Sequence, residues 1–301
     1  MKIFKKGVLL KEYIATILHL IILISFAFLV YNFYPRQEAS IVSAVTPEPV
    51  VPVVPLKDDV SDKELLGRAE QSFAGGTSGR NKNIELGISR INGKVVAPGE
   101  EFSFTDSIGA VTLEDGFSEE RVFLNGEVSK GLGGGLCQVS TTLFQSVVNS
   151  GLHVTERHNH SFSVALYDVG LDATYSDPGP DLKFVNDTAN PIVIKGRTEN
   201  QKAIFEIYGI KDGRIASTTE VRISNIVDFP PTRFVATSTR DKSLPECINK
   251  PQIGYTAEIT YNILYSSGER KEQIFTSKYN PLQKVCYVTA DELAGSTNAG
   301  I

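Results

Sequence analysis

Histidine and cysteine are scarce in this chain, with four and three residues among 301. The histidines give little support for a bound metal, because the pair His158 and His160 at two-residue spacing is a weak zinc signal. Positive charge is also short. Lys and Arg number 30 against 35 Asp and Glu, a net charge of −5, and residues 1–36 alone carry +4, which leaves −9 on the rest. A body that acidic has no general attraction for nucleic acid, so nucleic-acid binding is excluded. No internal repeat is evident. An odd number of cysteines leaves one thiol over if the other two pair. Cys247 and Cys286 flank a β-rich stretch, and bridging them would close a loop of about 40 residues, worth ~4 kcal/mol in the chain-entropy model. Cys137 is then the free thiol.

What is abundant is apolar sequence. Hydrophobic residues make up 41% of the chain and charged residues 22%, enough for one large domain or one medium domain with a small companion. From Tyr13 to Tyr34 no charge occurs, and about 20 such residues are needed to span a bilayer. Lysines precede the run, so a retained anchor would leave the N-terminus in the cytoplasm and the bulk outside. The alternative is a cleaved signal peptide, with Val42-Ser43-Ala44 as the cleavage site. Pro47, Pro49, Pro52 and Pro55 then suggest an extended tether. We therefore expect four parts: 1–36 cytoplasmic end and anchor, 37–60 linker, 61–215 main domain, 216–301 small β module.

Within the main domain, Ser61-Asp62-Lys63-Glu64 matches a capping box and predicts a short helix through Phe73. Ile84, Ile88 and Ile91 predict a helix over 83–91. Short strands are expected at 95–96 and 102–104. Over 137–150 the residues Val139, Leu143, Phe144, Val147 and Val148 share a helical face, with Gly151 placed for a left-handed cap. The period then changes to two, predicting strands at 162–166, 172–175, 182–185, 192–195 and 203–208. Further on, 255–265, the turn Ser266-Ser267-Gly268 and 270–277 read as a hairpin. The fold class is α+β, helices packed on an antiparallel sheet and followed by a small all-β module.

Several motifs occur in a fixed order: Pro98-Gly99-Glu100-Glu101-Phe102-Ser103-Phe104, then Gly133-Gly134-Gly135-Leu136-Cys137-Gln138-Val139-Ser140-Thr141-Thr142, then Glu156-Arg157 with His160-Ser161, then Gly170-Leu171-Asp172-Ala173-Thr174, and Asp181-Leu182-Lys183-Phe184 with Asn186. Over about residues 80–210 this series resembles the VanW family of cell-envelope proteins. The tail resembles the G5-like segments that often follow that domain. The resemblance implies a cell-envelope setting, with cell-wall peptide or glycan and the membrane as partners, and leaves the reaction open.

The residues suggest a chemistry. A cysteine on the first turn of a helix meets the positive end of the macrodipole and unpaired N–H groups, which favour the thiolate. His160 and Asp172 supply the proton acceptor and the group that orients it, in the order Cys, His, Asp. That order on a helix-then-strands frame is similar to transglutaminase-like and related cysteine peptidases, an analogy of fold only. Gly134, Gly135, Gln138, Ser140 and Thr141 would contact substrate, and Arg157 would hold a substrate carboxylate or else pair with Glu156 or Asp168. Two other readings stay open: a merely packed Cys137, and a zinc site made of Cys137, His158, His160 and Asp172. We expect no metal and no cofactor. An amide-bond enzyme acting on peptidoglycan peptides and a non-catalytic wall-binding module are the two functions to separate.

Overall fold

The computed structural model describes Ser25 and residues 59–124, 127–237 and 247–289. The expected anchor (Ser25 apart) and the proline-rich tether lie outside the described residues, and among those described no helix is long and apolar enough to cross a membrane. All elements below belong to the unit Pro55–Ile301.

In chain order the first half comprises β1 (Glu64–Ser72), α1 (Ser78–Ile91), β2 (Val95–Val96), β3 (Glu101–Ser103), α2 (Phe104–Ile108), β4 (Glu119–Leu124), β5 (Glu127–Leu132) and α3 (Leu136–Asn149). Then come β6 (His153–Glu156), β7 (Lys183–Val185), β8 (Ile192–Glu199), β9 (Lys202–Gly209), β10 (Ile215–Thr218) and β11 (Arg222–Val227). The chain closes with β12 (Arg233–Thr237), β13 (Cys247–Ile248), β14 (Gly254–Leu264), β15 (Arg270–Tyr279) and β16 (Val285–Thr289). The architecture is α+β. An antiparallel sheet β1-β9-β8-β2 and a smaller sheet β3-β7-β6 accompany the helices, while β10, β11, β14 and β15 form a C-terminal sheet. A last sheet, β12-β16-β13, places Cys247 opposite Cys286, and the two form the expected disulfide.

The first expected helix is a strand. Ser61 turns its N–H and hydroxyl to Asp59 instead of capping a helix, and 64–72 pairs with β9 along its length. Gly67 and Ala69, two residues apart, are the buried positions. A Cβ on Gly67 would lie 2.5 Å from Ser150 N, so the strand needs glycine to pass the end of α3. Pairing with β9 overrides the local cap signal.

Helix α1 begins earlier than its isoleucines indicate, because Thr77 caps it by accepting from Arg80 N at 3.2 Å. Phe104 opens a short helix rather than ending a strand, since Ser103 caps it at Asp106 N.

Neither 162–166 nor 172–175 is a strand; no strand lies between β6 and β7. At 162–166 the alternation buries nothing fully, Leu166 being 41% exposed, and a turn bond joins Tyr167 N to Val164 O. At 172–175 one hydroxyl replaces a neighbouring strand: Thr141 Oγ1 donates to Ala173 O at 3.1 Å and accepts from Ala173 N at 3.0 Å. Thr174 N adds a bond to His158 O.

Helix α3 is the centre of the core. Val139, Leu143, Phe144 and Val147 are fully buried, and so are Gln138, Ser140, Thr141, Thr142 and Ser146. The polar groups survive there because Thr142 and Ser146 donate back to carbonyls one turn earlier, as buried hydroxyls in helices commonly do. The C-terminal hairpin shares this core. Phe275 on β15 meets Phe144 edge-on at 5.2 Å and stacks on Tyr261 of β14 at 5.5 Å.

Candidate functional site

The start of α3 is built from glycine for steric reasons. Gly135 occupies the cap position with φ of 116°, and its side-chain-free face lies against Arg80 and Ile84 of α1. A Cβ on Gly134 would sit 2.7 Å from Glu120 Cβ and 2.9 Å from Arg121 O. Both glycines thus admit neighbouring chain, not the substrate expected from sequence. Asn83, fully buried on α1, fixes the loop by donating to Ser118 O and Gly134 O, each at 3.0 Å.

Cys137 stands on the first turn, half-buried. Leu136 N bonds Gly133 O, and the N–H groups of Gln138 and Val139 both reach Gly135 O. Among the described residues the N–H of Cys137 has no partner, as expected for an early helical donor. The sulfur lies 3.5 Å from Thr174 Oγ1 and 3.4 Å from Tyr175 O, and His160 acts on it electrostatically.

His160 and Asp172 complete the chain of contacts. His160 Nδ1 lies 2.6 Å from Asp172 Oδ2, and the His160 N–H donates to the same oxygen at 2.7 Å. Asp172 Oδ1 accepts from Arg157 Nη2 at 2.9 Å and from the Tyr279 hydroxyl at 2.5 Å. Two oxygens take four donors, so the carboxylate is fully used although 2% exposed.

The electrostatics follow from this arrangement. Burial alone would push the Cys137 thiol up, but the hydrogen bond and charge of His160, helped by Thr174, outweigh it and hold the thiol low. Burial disfavours a charged His160, yet the bonds to Asp172 and to Cys137 win and lift it to about 9. Burial likewise opposes an ionised Asp172, and His160, Arg157 and Tyr279 together keep its carboxyl below the usual range. These directions favour the charged forms, thiolate, imidazolium and carboxylate, over their neutral ones.

The remaining sequence candidates do not converge on the sulfur. Gln138 is buried and occupied, donating to Ser72 O and accepting from Arg80 Nη2, each at 2.8 Å. Ser140 is buried without a hydrogen-bond partner among the described residues. Thr141 serves the Ala173 backbone. Arg157 was expected at a substrate carboxylate or beside Glu156 or Asp168. It is buried behind Asp172 instead, bonded also to Asp172 O, Gly170 O and Ser277 Oγ. The imidazole of His158 turns to Glu156 at 3.2 Å, half exposed, so the two histidines do not meet in a zinc site. Among the described residues no group of His, Cys, Asp and Glu is arranged to hold a metal.

Sequence reasoning missed Tyr279, Thr174 and Tyr167. The Tyr167 ring lies 5.4 Å from the His160 ring, tilted by 30°. Thr174 ends the motif that carries Asp172 and was legible there, whereas Tyr167 and Tyr279 lie in none of the motifs.

Residues 79–208 match the family model described as VanW like protein. That stretch is VanW-like. The chain is 32% identical over 177 residues to the uncharacterized protein YoaR of Bacillus subtilis (strain 168), covering 59% of this chain and 53% of that protein. It is 30% identical over 134 residues to the vancomycin B-type resistance protein VanW of Enterococcus faecalis (strain ATCC 700802 / V583), covering 43% of this chain and 49% of that one. The chain thus spans about half the length of these curated relatives. No solved structure matches it. The VanW-like stretch contains Cys137, His160, Asp172 and Arg157, whereas Ser277 and Tyr279 lie beyond it. The G5-like character of the tail is not carried by the match, which ends at 208.

Proposed function

We propose that the VanW-like stretch is a cysteine-nucleophile centre acting on amide bonds of cell-envelope peptides, in a protein held at the membrane by its N-terminal apolar run. The observation that carries this reading is the His160 ring, held at Nδ1 by Asp172 Oδ2 at 2.6 Å and acting together with Thr174 on the Cys137 sulfur. In this reading the Cys137 thiolate attacks the carbonyl carbon, and the oxyanion forms near the Cys137 N–H. The C–N bond then breaks as His160 protonates the leaving amine. Water, or an acceptor amine in transpeptidation, cleaves the thioester and returns its proton to His160. A relative named for vancomycin resistance makes peptidoglycan peptides the first substrates to try.

A second reading, a non-catalytic module that binds wall peptide or glycan, has its own support. Gly134, Gly135, Gln138, Thr141 and Arg157 serve packing and internal hydrogen bonds rather than an open cleft. A cavity of about 450 Å³ lies instead along the C-terminal sheet, lined by residues including Asn225, Tyr255, Lys278 and Pro281.

The test is the alkylation rate of Cys137 against pH in the full chain. An enzyme centre predicts fast reaction with an apparent thiol pKa well under the reference of about 8.5, moved upward by His160→Ala. A thiol that reacts only after denaturation would end the catalytic reading and leave the binding module.

A further inference from the structure

Residues 157–182 carry His160, Asp172 and Thr174 but contain no strand or helix of their own. Such a segment needs outside support to hold an imidazole in place. Helix α3 supplies part of the support, through Thr141 and Gln145, and one edge of the C-terminal hairpin supplies another part. Asn159 Nδ2 donates to Lys278 O at 2.9 Å, Asn280 N to Ser161 O at 2.7 Å, and Arg157 Nη1 to Ser277 Oγ at 2.8 Å. Tyr279 makes the most direct link. Its ring is buried, its hydroxyl donates to Asp172 Oδ1 at 2.5 Å, and the hydroxyl oxygen itself accepts from Gly170 N at 3.0 Å.

From this geometry we infer that Tyr279, at the end of β15, is a positioning residue for His160, acting through Asp172 and Gly170 from outside the VanW-like stretch. The inference rests on the cysteine-centre reading for its catalytic meaning, although its geometric content does not. The hydroxyl bridges a buried N–H and the carboxylate that orients the ring. Without it, the Gly170 N–H is left unsatisfied beside the acceptor to which the hydroxyl had linked it. Satisfying that donor turns Asp172 Oδ1 toward Gly170 and draws Oδ2 away from His160, because a buried donor left alone is costly. The C-terminal hairpin is then part of the site's frame rather than a spacer.

Tyr279→Phe removes the hydroxyl and keeps the ring. Tyr255→Phe is the control, since Tyr255 packs against Tyr279 with ring centroids 5.2 Å apart but sends its hydroxyl to Ser163. Two titrations of the full chain are read, that of the His160 ring by NMR and that of Cys137 by alkylation, with urea midpoints recorded alongside. Tyr279→Phe should lower the His160 midpoint and raise that of Cys137 by about half a unit or more, a slowing of alkylation of about threefold at pH values below the Cys137 midpoint. Tyr255→Phe should move neither titration, whatever its stability. If Tyr279→Phe changes only the urea midpoint, or moves His160 upward, the positioning role is overturned. If the wild-type thiol proves unreactive while His160 still titrates high and falls in Tyr279→Phe, the positioning stands and the enzyme reading fails.

Discussion

Asp172→Asn is the most informative single change, because an isosteric side chain cannot make the same four bonds. The carboxylate accepts from the His160 ring and N–H on Oδ2 and from Arg157 and Tyr279 on Oδ1. An amide keeps one acceptor oxygen, so its NH2 must face one of these two donor pairs. Arg157, with its side chain 3% exposed, also loses its counter-charge. Removing one partner of a buried ion pair typically costs about 3–5 kcal/mol. Unmade hydrogen bonds add to this only in part, since all the groups belong to one network, and we expect a loss of ~4 kcal/mol. Against a typical total stability of about 5–15 kcal/mol, that is severe but measurable. Urea unfolding of the full chain in detergent would be followed by far-UV circular dichroism, because the sequence has no tryptophan to report on it. With the carboxylate gone, burial should dominate at both His160 and Cys137, lowering the first and raising the second. A loss below about 1 kcal/mol, with a thiol that still titrates low, would refute this account of the site.

Two further expectations follow from the same arrangement. His160, raised to about 9, contributes stability that is complete below its unfolded value of about 6.5 and is lost as pH rises through the folded one. Cys137, depressed, contributes stability that is complete above its unfolded value of about 8.5 and is lost as pH falls toward the folded one. Below about pH 8.5 the two slopes oppose each other. Cys137→Ala removes one of them and should steepen the decline of stability with rising pH in urea titrations; an unchanged profile would exclude the ion pair. Gly135→Ala should cost ~1–3 kcal/mol by urea unfolding, the price of a strained left-handed residue, because a Cβ there would also crowd Ile84 and Arg80. Gly99→Ala, with φ of 76° but open space around it, should cost ~1 kcal/mol, and equal losses at the two positions would show that packing at Gly135 contributes nothing.

The parts legible in sequence are those governed by a single local period or a single pair. The apolar stripe of α3 and the long alternations of β8, β9 and the hairpin β14–β15 all appear close to where they are expected. The Cys247–Cys286 pairing followed from scarcity of cysteine and was met. Ser61 to Glu64 failed because a capping pattern is worth little against the long ladder with β9. Residues 162–166 failed for the opposite reason, since the alternation found no neighbouring strand to bury its apolar side. For the site, His160 and Asp172 are hydrogen-bonded to each other, and Cys137 stands against Thr174, two residues on from Asp172. The glycines, Gln138 and Arg157 were read as facing a ligand when they face the protein.

That last difference has a physical basis in α3. Buried hydroxyls and amides on a helix can turn back on their own backbone or outward to another segment, and composition does not distinguish the two. Thr142 and Ser146 turn back, which satisfies the helix and fixes nothing else. Thr141, one residue from Thr142, turns outward and holds both sides of the Ala173 peptide, next to Asp172. Gln138 also turns outward, to Ser72 and Arg80, and ties the first turn to β1 and α1. The polar residues after Cys137 therefore act on where its partners stand. Their motif is informative about the site because it encodes the mounting of His160 and Asp172, whether or not any of these side chains touches a substrate.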